Sequence, residues 1–115
     1  METFSLTAAA GQQMRLARDS HSGRAARTII GGSRSSLRHT VVALTAGTTL
    51  AEHENPGEAT IIVLDGRVRL VAAEADRCGR DGDLLVVPQS RHSVQALTDA
   101  TVLLTVAESS RKPRG

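Results

Sequence analysis

The rhythm of apolar residues constrains this chain more than any other feature. From Arg27 onward the period is two, in short segments that each stop at a turn signal. The expected strands are Arg27 to Ile30, Leu37 to Thr45, Thr48 to Asn55, Ala59 to Leu64, Val68 to Ala73, Asp83 to Val87, His92 to Leu97 and Thr101 to Ala107. Between them lie Gly31-Gly32, Ala46-Gly47, Pro56-Gly57, Asp65-Gly66, the Cys78 to Gly82 stretch, Pro88-Gln89-Ser90 and Thr98-Asp99. Asp65-Gly66, flanked by apolar runs, is the sequence of a tight two-residue hairpin. Strands so short and evenly spaced, with no second helix among them, predict an all-β sandwich or barrel. In Arg67-Val68-Arg69-Leu70 the alternation puts two arginines in water and two aliphatic side chains inside. The run Ile61-Ile62-Val63-Leu64 should be buried or half-buried throughout.

Ahead of the strands, Leu6, Ala10, Met14 and Ala17 recur at helical spacing. A helix is expected from Thr7 to about Arg18, with Thr7 as its cap, Gly11 weakening it, and Met14 and Leu16 as packing residues. So short a helix must dock to persist. The organisation expected is therefore a helix and linker over 1–26, a β-barrel over 27–108 and a disordered basic tail over 109–115.

In a chain of 115 residues Phe4 is the only aromatic, so Val, Leu, Ile and Ala must fill the core. A pocket here lacks stacking platforms, which argues against sugars and flat heterocycles. The net charge is +2, and the arginines are dispersed among acids, so no nucleic-acid partner is expected. No apolar run is long enough for a membrane helix, and the first residues make a poor secretory signal. Cys78 is alone, which rules out an intrachain disulfide and suits a reducing cytoplasm. It falls in Asp76 to Asp83, a turn-like stretch that would leave the thiol exposed. There is no Gly-rich phosphate loop, no nucleophile elbow and no paired-cysteine motif.

Chemistry concentrates around GTTLAEHENPGEATIIVLDG, residues 47–66. Strand alternation puts Thr49, Ala51, His53 and Asn55 on one face, and the apolar members suggest that it faces inward, with Glu52 and Glu54 in water. Glu58 follows the Pro56-Gly57 turn. A tilted strand start would bring its carboxylate inward, whereas a regular register sends Ala59, Ile61 and Val63 inward and Glu58 out; the apolar run favours the regular register. His92 opens a strand just after a turn, and His39 lies mid-strand on a face that the sequence leaves open. Without a metal, such histidines serve as hydrogen-bonded core or strand-end residues.

These residues resemble the cupins. One cupin motif runs Gly, five residues, His-X-His, three or four residues, Glu, six residues, Gly. Gly47, His53 and Gly66 match it, while Asn55 stands where the second histidine belongs and Glu58 comes one position early. The second motif runs Gly, five residues, Pro-X-Gly, two residues, His, three residues, Asn. Gly82 and Pro88 match, Ser90 replaces the glycine, His92 is one residue early and the asparagine is missing. The phrases SGRAARTIIGG, AEHENPGEAT and GRVRL are also similar to a group of short bacterial cupins of undefined activity. The resemblance implies a jelly-roll barrel of about eight or more antiparallel strands with a site in its mouth, where a divalent metal such as Fe, Mn, Ni or Zn is commonly held. Here it would be held by His53, His92 and Glu58, with Asn55 or His39 as further candidates.

Three functions remain open at this point. One is a module binding a small molecule or a loosely held divalent ion without a defined reaction. Another is a metal-dependent oxygenase or isomerase using His53 and His92. The last is a homodimeric interaction module, pairing through a sheet or by exchanging N-terminal segments.

Overall fold

A computed structural model describes residues 1–32, 35–51, 57–73 and 75–107. Its elements are α1 (Leu6–Asp19), β1 (Arg24–Ile30), β2 (Leu37–Leu44), β3 (Thr49–Ala51), β4 (Glu58–Asp65), β5 (Arg67–Ala72), β6 (Asp76–Arg80), β7 (Leu84–Val87), β8 (His92–Ala96) and β9 (Ala100–Ala107). Five strands form one antiparallel sheet in the order β1-β2-β9-β4-β7, and four form another in the order β3-β8-β5-β6. From β2 to β9 each step of the chain crosses between the sheets except β5 to β6, which pair within the smaller one, the jelly-roll order. The core of Val42, Leu44, Ile61, Val63, Val68, Leu70, Val94 and Val102 is one aliphatic cluster drawn from both sheets.

The middle strands of the five-stranded sheet, β2, β9 and β4, are largely buried on both sides. In β2, Val42 and Leu44 belong to the core while Val41 and Ala43 lie against the helix. In β4, Ala59, Ile61 and Val63 point inward and Ile62 and Leu64 toward α1. Two covered faces explain why these strands read as apolar runs rather than clean alternations. The four-stranded sheet has one wet face, and β5 shows it: Arg67 and Arg69 are exposed, Val68 and Leu70 buried.

Helix α1 covers the outer face of the larger sheet through Ala9, Ala10, Gln13, Met14 and Ala17. Its cap is Ser5, whose Oγ accepts from the Ala8 N–H at 3.1 Å, and not Thr7 as expected. Leu16 does not pack; it is 53 % exposed, because two positions on from Met14 lies on the far side of a helix. The first strand begins at Arg24 rather than Arg27.

Two further expectations fail. Asp76–Arg80 is not a turn but the edge strand β6, paired with β5 as Arg69↔Cys78 and Arg67↔Arg80. Its sequence reads as a turn because its inner position is Gly79; a Cβ there would come within 3.1 Å of the Leu85 side chain, which fills that space from the opposite sheet. Cys78 is exposed, but on a strand. In β3 the inward residue is Leu50, packed against the core, while Thr49 and Ala51 are exposed. The larger side chain takes the buried position because it removes more apolar area from water.

The connections alternate between the two ends of the jelly roll. At one end the β2–β3, β4–β5, β6–β7 and β8–β9 turns are laced together by aspartates: Asp99 Oδ1 accepts from the Ala46 N–H at 2.9 Å and Asp81 Oδ1 from the Gly66 N–H at 2.8 Å. Asp65-Gly66 makes a tight turn, with Gly66 at φ 93°, but not the expected hairpin: β4 pairs with β7 and β9 and β5 with β6 and β8, so the turn carries the chain from one sheet to the other. A Cβ on Gly66 would sit 2.2 Å from the Asp99 carbonyl oxygen and 2.8 Å from Ala100 Cα. The ends of β3 and β5, the starts of β4 and β6, and the β7–β8 connection lie at the other end, the mouth.

Candidate functional site at the barrel mouth

His92 begins β8 directly after a mouth connection and continues the inward row of Val94 and Ala96. It is 8 % exposed. Its backbone partner across β5 is Ala72. Nδ1 lies 3.0 Å from the Ser90 carbonyl oxygen. A carbonyl only accepts, so Nδ1 carries its hydrogen, and in the neutral ring the lone pair falls on Nε2. A backbone carbonyl holding the distal nitrogen of an imidazole in this way also fixes a ring for ligation. The barrel interior beside it is aliphatic: Ala59 and Val87, paired across β4 and β7, are buried, and Leu104 and Val106 pack on the same cluster. Gln89 ties two mouth connections together, its Nε2 donating to the Gly57 carbonyl at 3.0 Å.

His39 does not share this interior. It lies in β2 at the parity of Val41, on the outer face of the sheet, and its Nδ1 pairs with Thr105 Oγ1 at 3.0 Å. The sequence left its face open, and the fold sends it away from His92. Glu58 heads β4 exposed, with Ala59 inward, so the regular register holds and the carboxylate points away from the interior. Neither residue therefore adds a donor beside His92. His53 and Asn55 lie outside the described residues. Among the described residues there is no group of three or more His, Cys, Asp or Glu side chains able to hold a metal. One imidazole falls short of the three protein ligands that zinc or non-haem iron ordinarily requires, so a metal here depends on His53 and Asn55.

Electrostatic features lie elsewhere on the molecule. The Asp99 carboxyl is held below the ordinary carboxylate range, first by the Ala46 N–H and then by Arg18, whose guanidinium reaches Oδ2 at 3.0 Å. On the wet face of the smaller sheet, the Asp76 carboxylate raises the pKa of Arg69 through a hydrogen bond and its charge. Neither contact is legible in the sequence: Arg18 and Asp99 lie 81 residues apart, and Arg69 meets Asp76 only once β5 and β6 pair.

No protein-family model matches the chain, and no curated protein matches it. Solved structures do. A cupin 2 conserved barrel domain protein from Salinispora arenicola is 23 % identical over 96 % of this chain and 91 % of its own, with a TM-score of 0.68. This chain folds as a cupin. An RmlC-like cupin from Desulfovibrio desulfuricans is 28 % identical over 73 % of this chain and 81 % of its own, with a TM-score of 0.63. Salicylate 1,2-dioxygenase from Pseudoaminobacter salicylatoxidans aligns at 24 % identity and a TM-score of 0.72, covering 92 % of this chain but 32 % of the enzyme. These cupins range from proteins without a stated activity to an oxygenase, so the likeness carries the fold and not the reaction. No helix among the described residues is long and apolar enough to cross a membrane.

Proposed function

We propose that this cupin is a small-molecule-binding module whose chamber holds a ligand, or a loosely bound divalent ion, through His92 without a reaction of its own. The observation that supports this reading is the buried His92 ring, tethered through Nδ1 so that Nε2 is the nitrogen left for a ligand. Aliphatic walls and the absence of tyrosine and tryptophan favour a compact, largely apolar ligand with one polar group. Where a divalent ion binds, His92 and His53 are its nitrogen donors, with Asn55 as a weak neutral one. Such an ion would supply Lewis acidity, while the chain's own residues orient it and exclude water.

The test is elemental analysis of untagged protein beside His92→Ala and His53→Ala. Metal near one per chain, lost in both variants, moves the reading toward a metal-dependent enzyme. Metal-free protein whose His92 ring signals shift saturably with a small apolar acceptor or donor supports the binding module. A His92 ring that responds to neither metal nor any ligand sinks both.

A homodimer is favoured by one feature. Edge strand β7 leaves Leu84 and Val86 exposed, Val86 at 74 %, beside unpaired backbone groups. Sedimentation of the wild type against Val86→Lys tests it; equal molecular masses in both would reject sheet-edge pairing.

A further inference from the structure

The wet face of the four-stranded sheet treats its arginines in two ways. Arg69 has an acid within reach: the Asp76 carboxylate, diagonal to it across β5 and β6, takes its guanidinium. Arg67, two residues earlier on the same face, is paired across the strands with Arg80. Both side chains point outward, since Val68 and Gly79 take the buried positions, so their Cβ atoms stand about 5 Å apart. Like charges directly opposite one another destabilise a sheet.

Acids lie near enough in the chain to relieve that repulsion, yet each is turned to the main chain. Asp81 Oδ1 accepts from the Gly66 N–H at 2.8 Å, and Asp83 Oδ2 from the Arg80 N–H at 2.9 Å. Among the described residues, neither the Arg67 nor the Arg80 guanidinium has an ion pair or a hydrogen bond. Both arginines line a cleft of about 290 Å³, together with Asp83, the exposed Cys78 and Leu97. Leu97 extends the arginine row on the β8 side, its N–H donating to the Arg67 carbonyl at 2.9 Å, and its side chain is 43 % exposed.

We propose that this cleft binds the phosphate group of a small phosphorylated molecule. Two adjacent guanidinium forks offer more donors than the two oxygens of one carboxylate accept in plane, whereas a phosphate group can take a fork on each side. A dianion between the arginines turns their mutual repulsion into attraction to a shared partner. Asp83 is the one acid on the cleft, and its charge against two arginines keeps the expected affinity modest, on the order of millimolar. Leu97 offers aliphatic surface to the carbon atoms of the ligand. The site lies on the outside of the smaller sheet, so it stands independently of the His92 reading.

The experiment is a titration of the full chain with inorganic phosphate at constant ionic strength, followed by two-dimensional ¹H–¹⁵N spectra, with acetate and chloride as comparison anions. Saturable shifts are expected at the amides of Arg67, Cys78, Arg80 and Leu97, with half-saturation at least about tenfold higher for acetate. Arg67→Gln and Arg80→Gln alter exposed side chains and should each weaken phosphate about tenfold. Each also relieves the like-charge contact, so neither should lower the melting temperature of phosphate-free protein. Cys78 is the one cysteine in the chain, which makes its alkylation a second readout. Saturating phosphate should slow iodoacetate, an anion, more than neutral iodoacetamide in the wild type, and should lose that selectivity in both variants. The proposal is overturned by no saturable shift at about 50 mM phosphate, by acetate or chloride binding equally well, by phosphate binding unchanged in either variant, or by a lower melting temperature for either. Shifts confined to the amides around His92 would place the anion inside the barrel and overturn it equally.

Discussion

Replacing Gly66 by alanine tests how rigidly the turn end of the barrel is built. Two costs arise. At φ 93° an L-residue sits in the left-handed region, worth roughly 1–2 kcal/mol. The new methyl would also lie 2.2 Å from the Asp99 carbonyl oxygen and 2.8 Å from Ala100 Cα, both backbone atoms that no rotamer change can move aside. Relief requires the β4–β5 turn to withdraw from the β8–β9 turn by about 1 Å, an overpacking cost of roughly 1–3 kcal/mol. That withdrawal strains the Gly66 to Asp81 bond and the Leu97 N–H bond to the Arg67 carbonyl, while Ala100 is fully buried and cannot follow. The sum is about 2–5 kcal/mol. Gly82→Ala is the control: its φ is 87°, but nothing lies within 4 Å of the added carbon, so only the backbone cost of about 1–2 kcal/mol applies. Urea unfolding followed by far-ultraviolet circular dichroism measures both, because a chain whose one aromatic is Phe4 offers no tryptophan or tyrosine signal. Equal losses in the two variants would refute the close approach of the turns.

Three other outcomes follow from the structure. Leu44→Ala, at a fully buried position between the sheets, should lower stability by about 3–4 kcal/mol in the same assay. Ser5→Ala removes the hydroxyl that caps α1 and should cost about 1 kcal/mol, with little change in the signals of the four-stranded sheet. The Asp99 pKa is depressed in the fold, so its contribution is complete above the unfolded carboxylate value of about 3.9 and disappears as pH falls through the lower folded value. Being largely solvent-exposed, the charge should make wild type more stable than Asp99→Asn by only about 0.5 kcal/mol at pH 7, a gap that closes below about pH 4 in denaturant titrations.

The architecture was readable because aliphatic alternation and glycine turns are local signals. Val68 and Leu70 flanked by arginines settle their own face, and Asp65-Gly66 settles its own turn. What escaped were positions decided by a neighbour distant in sequence. Gly79 looks like turn chemistry until Leu85 arrives from the opposite sheet, and Leu50 outcompetes Thr49 and Ala51 for the interior only once there is a core to enter. The same limit governs the site. On paper His92 is a ligand and His39 a further candidate on an open face; in the fold His39 pairs with Thr105 on the outer side of the sheet while His92 is held by the Ser90 carbonyl within the barrel.

Strand β9 is the last among the described residues and the third in its five-membered sheet, hydrogen-bonded to β2 on one side and β4 on the other. During synthesis, then, the earlier segments of that sheet emerge as two separate ribbons with no common neighbour, and the gap closes only when residues 100–107 clear the ribosome. A nascent chain stalled before that point would expose aliphatic ribbon edges to chaperones and proteases, and a premature stop a few codons upstream of position 100 should abolish the fold entirely instead of trimming it.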